Sequence, residues 1–496
     1  MQAGCAAIRR AIAAVGLLAA CRTPAPPRDV ITVLTSNDIL SVDPNRELEN
    51  VTWSVLGNVY EPLIDFDAEL RARPALAESW LQPSPDRWRF RLRRGAVFHD
   101  GAPVDAEAVK AALLKLRHAP EFEASQYLAP IESVEVVDSR TLDLVTRGPR
   151  ALLSNLAIVL VTKPNASGAF PPLVGTGPYR LSAWEPGRRV VLERVASGTG
   201  PVAPIQRAVF EPEPDPAARL RRLAEGSADL TEDIPPALSA DPPSGVRIER
   251  QAGLTLYVLS LNLRKRPGNP FADLRVRRAL HLAIDRRALV DRLLNGQGLV
   301  ATQPAPPRVF GFDPNLPEPR FDPQEARRLL AEAGRGAGFG VRLDIASDRR
   351  QAGELLREDL GAVGIDVEIN AVPRATVYDL GRAGKSELLF MGWNFVSGES
   401  SEYLEYCLHT AGPVLGLTNY TGYSNRRLDE IAEENGGVLD PVKRRGLLHE
   451  AAAIAMADLP MLPLYVGDDI YAVRNELRFR ARVGSSLRVA DMELSQ

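Results

Sequence analysis

Trp393 and Asn394 raise the first chemical question in this chain. They stand in GWNFVSGES (Gly392–Ser400), a loop-like run whose one charge is Glu399, between an apolar ELLFM and an acidic-aromatic SEYLEY. An indole offers a flat stacking face and one N–H. An amide adds donors and an acceptor, and a lone acid offers a partner to a cation. Such a set suits the wall of a binding site, although a tryptophan here serves equally as core packing. Residues for catalysis are not set out at a recognisable spacing. The five histidines (His99, His118, His281, His409 and His449) form no HExxH pair, and there is no GxSxG elbow or Walker motif. GRGAGFG (Gly334–Gly340) follows a helical pattern rather than a strand and lacks GxGxxG spacing, so it reads as a helix stop and loop. With 63 acids in the chain, a chance carboxylate pair carries no weight. The expectation is a binding protein, not an enzyme, with no cofactor and no metal.

The elements that must position these residues alternate between strand and helix. In WRFRLRR, Trp88, Phe90 and Leu92 face one side and Arg89, Arg91 and Arg93 the other, the pattern of a half-buried strand. SVEVVD and RTLDLVT read as a hairpin pair. Asp105 is placed to cap a helix that carries Val109, Ala112, Leu113 and Leu116 on one face. In FDPQEARRLLAEAG, Asp322 is the N-cap, Pro323 the first helical residue, Glu325 completes a capping box and Gly334 stops the helix. The strand VRLDIA, a helix over about 353–362 and the strand IDVEI follow, an order that implies crossovers over a helix-covered sheet. Asp440-Pro441 starts a further helix that Pro460 stops.

The totals set the frame. The chain has 496 residues, 45% hydrophobic and 25% charged, with a net charge of −3. That length implies roughly two to four domain-sized units. The near-neutral balance argues against a nucleic-acid partner, because acids lie between the recurring arginine pairs. At the N-terminus, Arg9 and Arg10 precede ten uncharged residues, AIAAVGLLAA, and then Cys21. Ten residues are too few for a permanent span and suit a signal-peptide core. Leu18-Ala19-Ala20-Cys21 resembles a bacterial lipobox, which predicts cleavage after residue 20 and lipidation of Cys21. Residues 21–28 then read as a Pro-rich tether. Only Cys407 would remain beside an acylated Cys21, so no intrachain disulfide is expected.

Several blocks in order along the mature chain resemble the bacterial extracellular solute-binding protein family 5, the peptide- and nickel-type receptors of ABC importers. They are SVDPN with NVYEPLIDFD, PALAESW, RLRRGAVFHDGAPVDAEAV, VGTGPYRL, NPFADLRVRRALHLAIDRRALV and GYSNRRLDEI. The resemblance implies an α/β, two-lobed periplasmic-binding-protein fold (type II, cluster C-like). Lobe I would cover 29–258, with an inserted subdomain over 51–169, and lobe II 259–465. Residues 466–496 would return to lobe I, with hinge crossings near LTLYVLSLNL and LPMLPLYV. The implied role is a monomeric, exported, lipid-anchored receptor that passes a peptide or small-molecule ligand to permease and ATPase subunits. A receptor-like sensor or chaperone-like module on the same fold is the alternative. Peptide-binding members carry a Trp-x-x-Asp element whose aspartate takes the ligand's ammonium. Here Trp393 matches, but Val396 stands at the aspartate position. The resemblance therefore implies Trp393, Gly392, Asn394, Tyr465 and Asn50 as ligand-facing residues, with Glu399 as the acid nearest to the lost one.

Overall fold

The computed structural model describes residues 29–67, 70–166, 170–195, 203–412, 414–482 and 487–495. Cys21 and the N-terminal leader lie outside them. Among the described residues an eleven-stranded mixed sheet runs through the molecule. Two long strands, Val246–Leu261 and Met461–Arg474, form its middle and pair antiparallel from Val246 opposite Arg474 to Ser260 opposite Met461. On one side of them lie Leu230–Thr231, Val30–Thr35, Arg207–Pro212, Arg189–Arg194 and Tyr179–Glu185. On the other lie Leu388–Asn394, Phe339–Ala346 and Ile365–Val372. We call these sides lobe I and lobe II.

Each side has its own core. The alternation in Val30–Thr35 buries Ile31 and Val33 against Phe210, Leu192 and Tyr179 in lobe I. In lobe II the apolar stripes of helices Leu274–Ala283 and Arg350–Gly361 pack on Leu343, Ile345 and Val367. The N-cap expectations hold, with Asp322 accepting from the Glu325 N–H at 2.9 Å and Asp440 from Val442 at 2.9 Å, but the capping box does not close: the Asp322 N–H donates to Leu282 O at 2.8 Å and Glu325 pairs with Arg328. Gly334 follows its helix at φ +71°, a conformation that glycine adopts without steric penalty. A separate four-stranded sheet holds the expected hairpin, Ile131–Asp138 with Thr141–Thr146, and the alternating strand Arg87–Leu92. It wraps its own core around Phe90, Leu142 and Leu113.

The paired glycines of VGTGPYRL serve a different purpose from the tight turn their spacing suggests. Neither has a positive φ. A Cβ on Gly175 would stand 2.1 Å from the Val59 carbonyl oxygen, and one on Gly177 2.5 Å from that of Asn58. The glycines let two backbones touch, with Tyr179 buried behind them and its hydroxyl donating to Ile205 O at 2.8 Å.

The long central strands are not evenly paired. Their register slips between Ala252 opposite Asp468 and Leu256 opposite Val466. At the slip, a Cβ on Gly253 would lie 2.2 Å from the Gly467 carbonyl oxygen. The two strands are in close backbone contact at these glycines, Gly253 just before and Gly467 just after the apolar stretches named above.

Candidate binding cleft

The strand Leu388–Asn394 delivers the predicted residues to the boundary between lobes. Its last three residues pair with the central strand as Gly392 to Tyr257, Trp393 to Leu256 and Asn394 to Thr255. Gly392 is a spacer for its neighbour: a Cβ there would meet the Tyr257 ring at 3.1 Å and Thr255 at 3.2 Å. Tyr257 also faces Tyr465 on the third strand, and their rings stack with centroids 4.8 Å apart. Tyr465 is only 3% exposed and belongs to the lobe II core. Tyr257 is the more open of the pair, and the Arg349 guanidinium stands 5.4 Å over its ring. Arg349 is 38% exposed. The Tyr257 hydroxyl foremost, then Asp348, Tyr465 and lobe I's Asp233, hold it in its charged form against burial.

Trp393 is half-buried, edge-on to Tyr403 at 5.7 Å and tilted against Tyr406 at 6.2 Å. Its indole N–H is buried with no partner at hydrogen-bond geometry. Asn394 and Asn50, which the resemblance implied separately, meet here: Asn394 Nδ2 donates to Asn50 Oδ1 at 3.1 Å, a bond between the two lobes. Asn50 opens the helix Asn50–Leu56, whose N-cap Glu49 accepts from Thr52 N at 2.9 Å.

Glu399, the acid nearest the lost aspartate, already has partners within the chain. Arg444 grips both its carboxylate oxygens, one at 3.0 Å, and Ser401 donates to it at 3.2 Å. Arg444 is itself nearly buried and lies over the Phe310 ring at 5.4 Å. Val396 packs against the core of the inserted sheet, so the position of the family's aspartate has become an apolar contact between lobes. The acid beside Trp393 is instead Glu402, 5% exposed, with neither oxygen at hydrogen-bond geometry to any partner. Burial first, and then Glu399 and Glu405, push its carboxyl well above the usual range. The nearby Ser397 hydroxyl and Trp393 N–H offset this only in part. Its charge acts on Tyr406 and on Tyr127, which lies in the 3-10 turn Glu123–Leu128 and packs in the core of the four-stranded sheet.

Sequence reasoning passed over Glu402, since nothing in the acidic-aromatic SEYLEY marks which of its acids is buried. In the structure Leu404–Leu408 is a π-turn, closed by the His409 N–H on Leu404 O at 2.9 Å. Such turns rotate side chains away from the 3.6-residue expectation and recur at functional sites. Beside this wall a cavity of about 470 Å³ opens between the lobes, with Phe66, Leu70 and Trp88 on one side and Phe310, Ser397 and Glu399 on the other. The volume and the mixed lining fit a small organic solute.

Residues 71–413 match the model of the bacterial extracellular solute-binding proteins, family 5 Middle. The glutathione-binding protein GsiB of Shigella boydii serotype 4 (strain Sb227) is 28% identical over 476 residues, covering 91% of each chain. NikA from Brucella suis, solved in complex with Fe(III)-EDTA, superimposes with a TM-score of 0.83 at 22% identity, covering 94% of this chain and all of that one. DppA from Helicobacter pylori, solved with the peptide STSA, gives a TM-score of 0.81 at 23% identity, covering 95% and 99%.

Proposed function

This chain belongs to the bacterial extracellular solute-binding proteins of family 5, and we propose that it captures a peptide-like or other small solute between its lobes for delivery to an ABC permease. Its role as the substrate-binding component of an ABC importer follows from the family and the relatives. The choice of solute is our own reading. The carrying observation is the boundary around Trp393: an indole whose buried N–H lies beside Glu402, an aromatic pair in Tyr257 and Tyr465, and the asparagine bridge between Asn394 and Asn50. Ligand closure over such walls is a population shift driven by tighter binding to the closed form.

The solute does not enter as a free peptide N-terminus at the usual place, because Val396 is apolar and Glu399 is committed to Arg444. A solute stacked on Trp393 fits better, whether a modified peptide, an oligosaccharide-like molecule or a thiol peptide such as the glutathione named for the relative. The test is calorimetric titration with di- to pentapeptides, their N-acetylated forms and glutathione. Binding that survives acetylation is the expected result. Tight binding of free peptides that acetylation abolishes would overturn this account of the ligand while leaving capture intact. No uptake defect on deletion of the gene would favour a sensor role over transport. Export and a lipid anchor at Cys21 complete the proposal, supported by the charge, core and cysteine pattern of the leader.

A further inference from the structure

We propose that lobe I contributes a second, cation-binding subsite centred on Glu232, built to take a primary ammonium or guanidinium group of the captured solute. This deepens the capture reading and rests on it. Glu232 directly follows the short strand Leu230–Thr231, which pairs with Val30–Thr35 on one side and the central strand Met461–Arg474 on the other. It therefore emerges where lobe I meets the hinge strands. It is 7% exposed, and its Oε1 is buried with no hydrogen-bond partner.

The groups that face it are Asp233, Glu49, Asp469 and Arg219. Three are acids. The one cation, Arg219, is 2% exposed and already donates to the carbonyls of Glu213 at 2.8 Å and Asp233 at 2.7 Å. Burial and the three acids raise the Glu232 carboxyl to about 8. Its neighbours tie it to the cleft. Asp233 acts on Tyr257 and Arg349 of lobe II, and Glu49 precedes Asn50, which bonds Asn394. Among the described residues no group of three His, Cys, Asp or Glu is disposed to hold a metal ion, which favours an organic cation.

The chemistry follows from closure. Bringing the lobes together removes water from a carboxylate that the protein leaves without a counter-charge, and such a group is unfavourable until a partner arrives. A proton can neutralise it, but a solute ammonium does so while adding charge-assisted hydrogen bonds. The solute's cation then favours the closed form by differential affinity.

The experiment titrates wild type and Glu232→Gln with three matched probes, Ala-Lys-Ala, Ala-Arg-Ala and Ala-norleucine-Ala, at pH 8.5. Wild type is expected to bind a cationic probe at least tenfold tighter than the norleucine probe, and the variant to show less than a threefold difference. No preference in wild type, or a preference that survives in the variant, overturns the subsite. If no tripeptide binds, the peptide part of the capture reading has failed, and solution scattering of the ligand-free protein decides the subsite. The radius of gyration of wild type should then shrink as pH falls from 9 to 6, while that of Glu232→Gln stays constant. A wild type that does not respond overturns the proposal.

Discussion

At the residue scale the informative acid is Glu402, because the structure leaves its charge unanswered. Its folded carboxyl sits well above the ordinary range, so between that range and the raised value the native state holds a proton that the unfolded chain has lost. The sign follows from linkage. Where the native state binds more protons, stability falls as pH rises, so the contribution is complete below about pH 4.5 and lost on the way up. Replacing Glu402 with Gln removes the charge and keeps a hydrogen-bonding group near Ser397 and Trp393. The expected result is a melting temperature equal to wild type near pH 4.5 and increasingly higher toward pH 8, reflecting about 2 kcal/mol for an unsatisfied buried group. Thermal unfolding followed by circular dichroism across that range measures it. A variant less stable than wild type at pH 8 would mean that Ser397 and the indole N–H compensate the carboxylate fully. Glu399 cannot be read the same way, since removing it would strand Arg444.

The elements divide into those whose rules are local and those whose geometry depends on the partner strand. Asp322-Pro323 and Asp440-Pro441 announced their helices because capping is satisfied within four residues, and the structure has Pro323–Glu332 and Pro441–Asp458. The helix expected over about 353–362 begins at Arg350, three residues early, since Arg349 gives no side-chain cap to mark its start. The cleft was legible through Trp393, Asn394 and Asn50 only by family resemblance. Glu402 and Glu232 were not, because their burial depends on tertiary packing that no local pattern records. Apolar runs mark the central strands in the sequence, whereas the close backbone contact between Gly253 and Gly467 depends on the partner strand. Gly253→Ala tests that contact. Its Cβ would fall 2.2 Å from Gly467 O, so the strands must part. Overpacking of this kind typically destabilises by about 1–3 kcal/mol. Gly340→Ala, also in a strand but with nothing nearer than 3.9 Å, is the control. We expect the Gly253 variant alone to melt earlier and to bind its solute more weakly. Equal behaviour of the two variants would remove the glycine contact as a constraint.

For the whole molecule, the remaining question is how a two-lobed body that captures a solute stays beside its permease. Among the described residues no helix is long and apolar enough to cross a membrane. We take Cys21, at the resembled lipobox, as the candidate attachment point. A thioether-linked lipid with more than one acyl chain holds a protein at a bilayer far better than a single chain, whose binding is marginal and reversible. Labelling cells that express the protein with a radioactive or clickable fatty acid should mark wild type and leave Cys21→Ala unmarked. The variant should also move from the membrane fraction to the soluble exported fraction. Because Cys21 lies far in sequence from the cleft, the purified variant should keep wild-type affinity for whichever probe the calorimetry identifies. Label that persists without Cys21 would place the lipid elsewhere. An unlabelled wild type found in the soluble fraction would mean that the receptor diffuses to its permease, and the lipobox reading would be wrong.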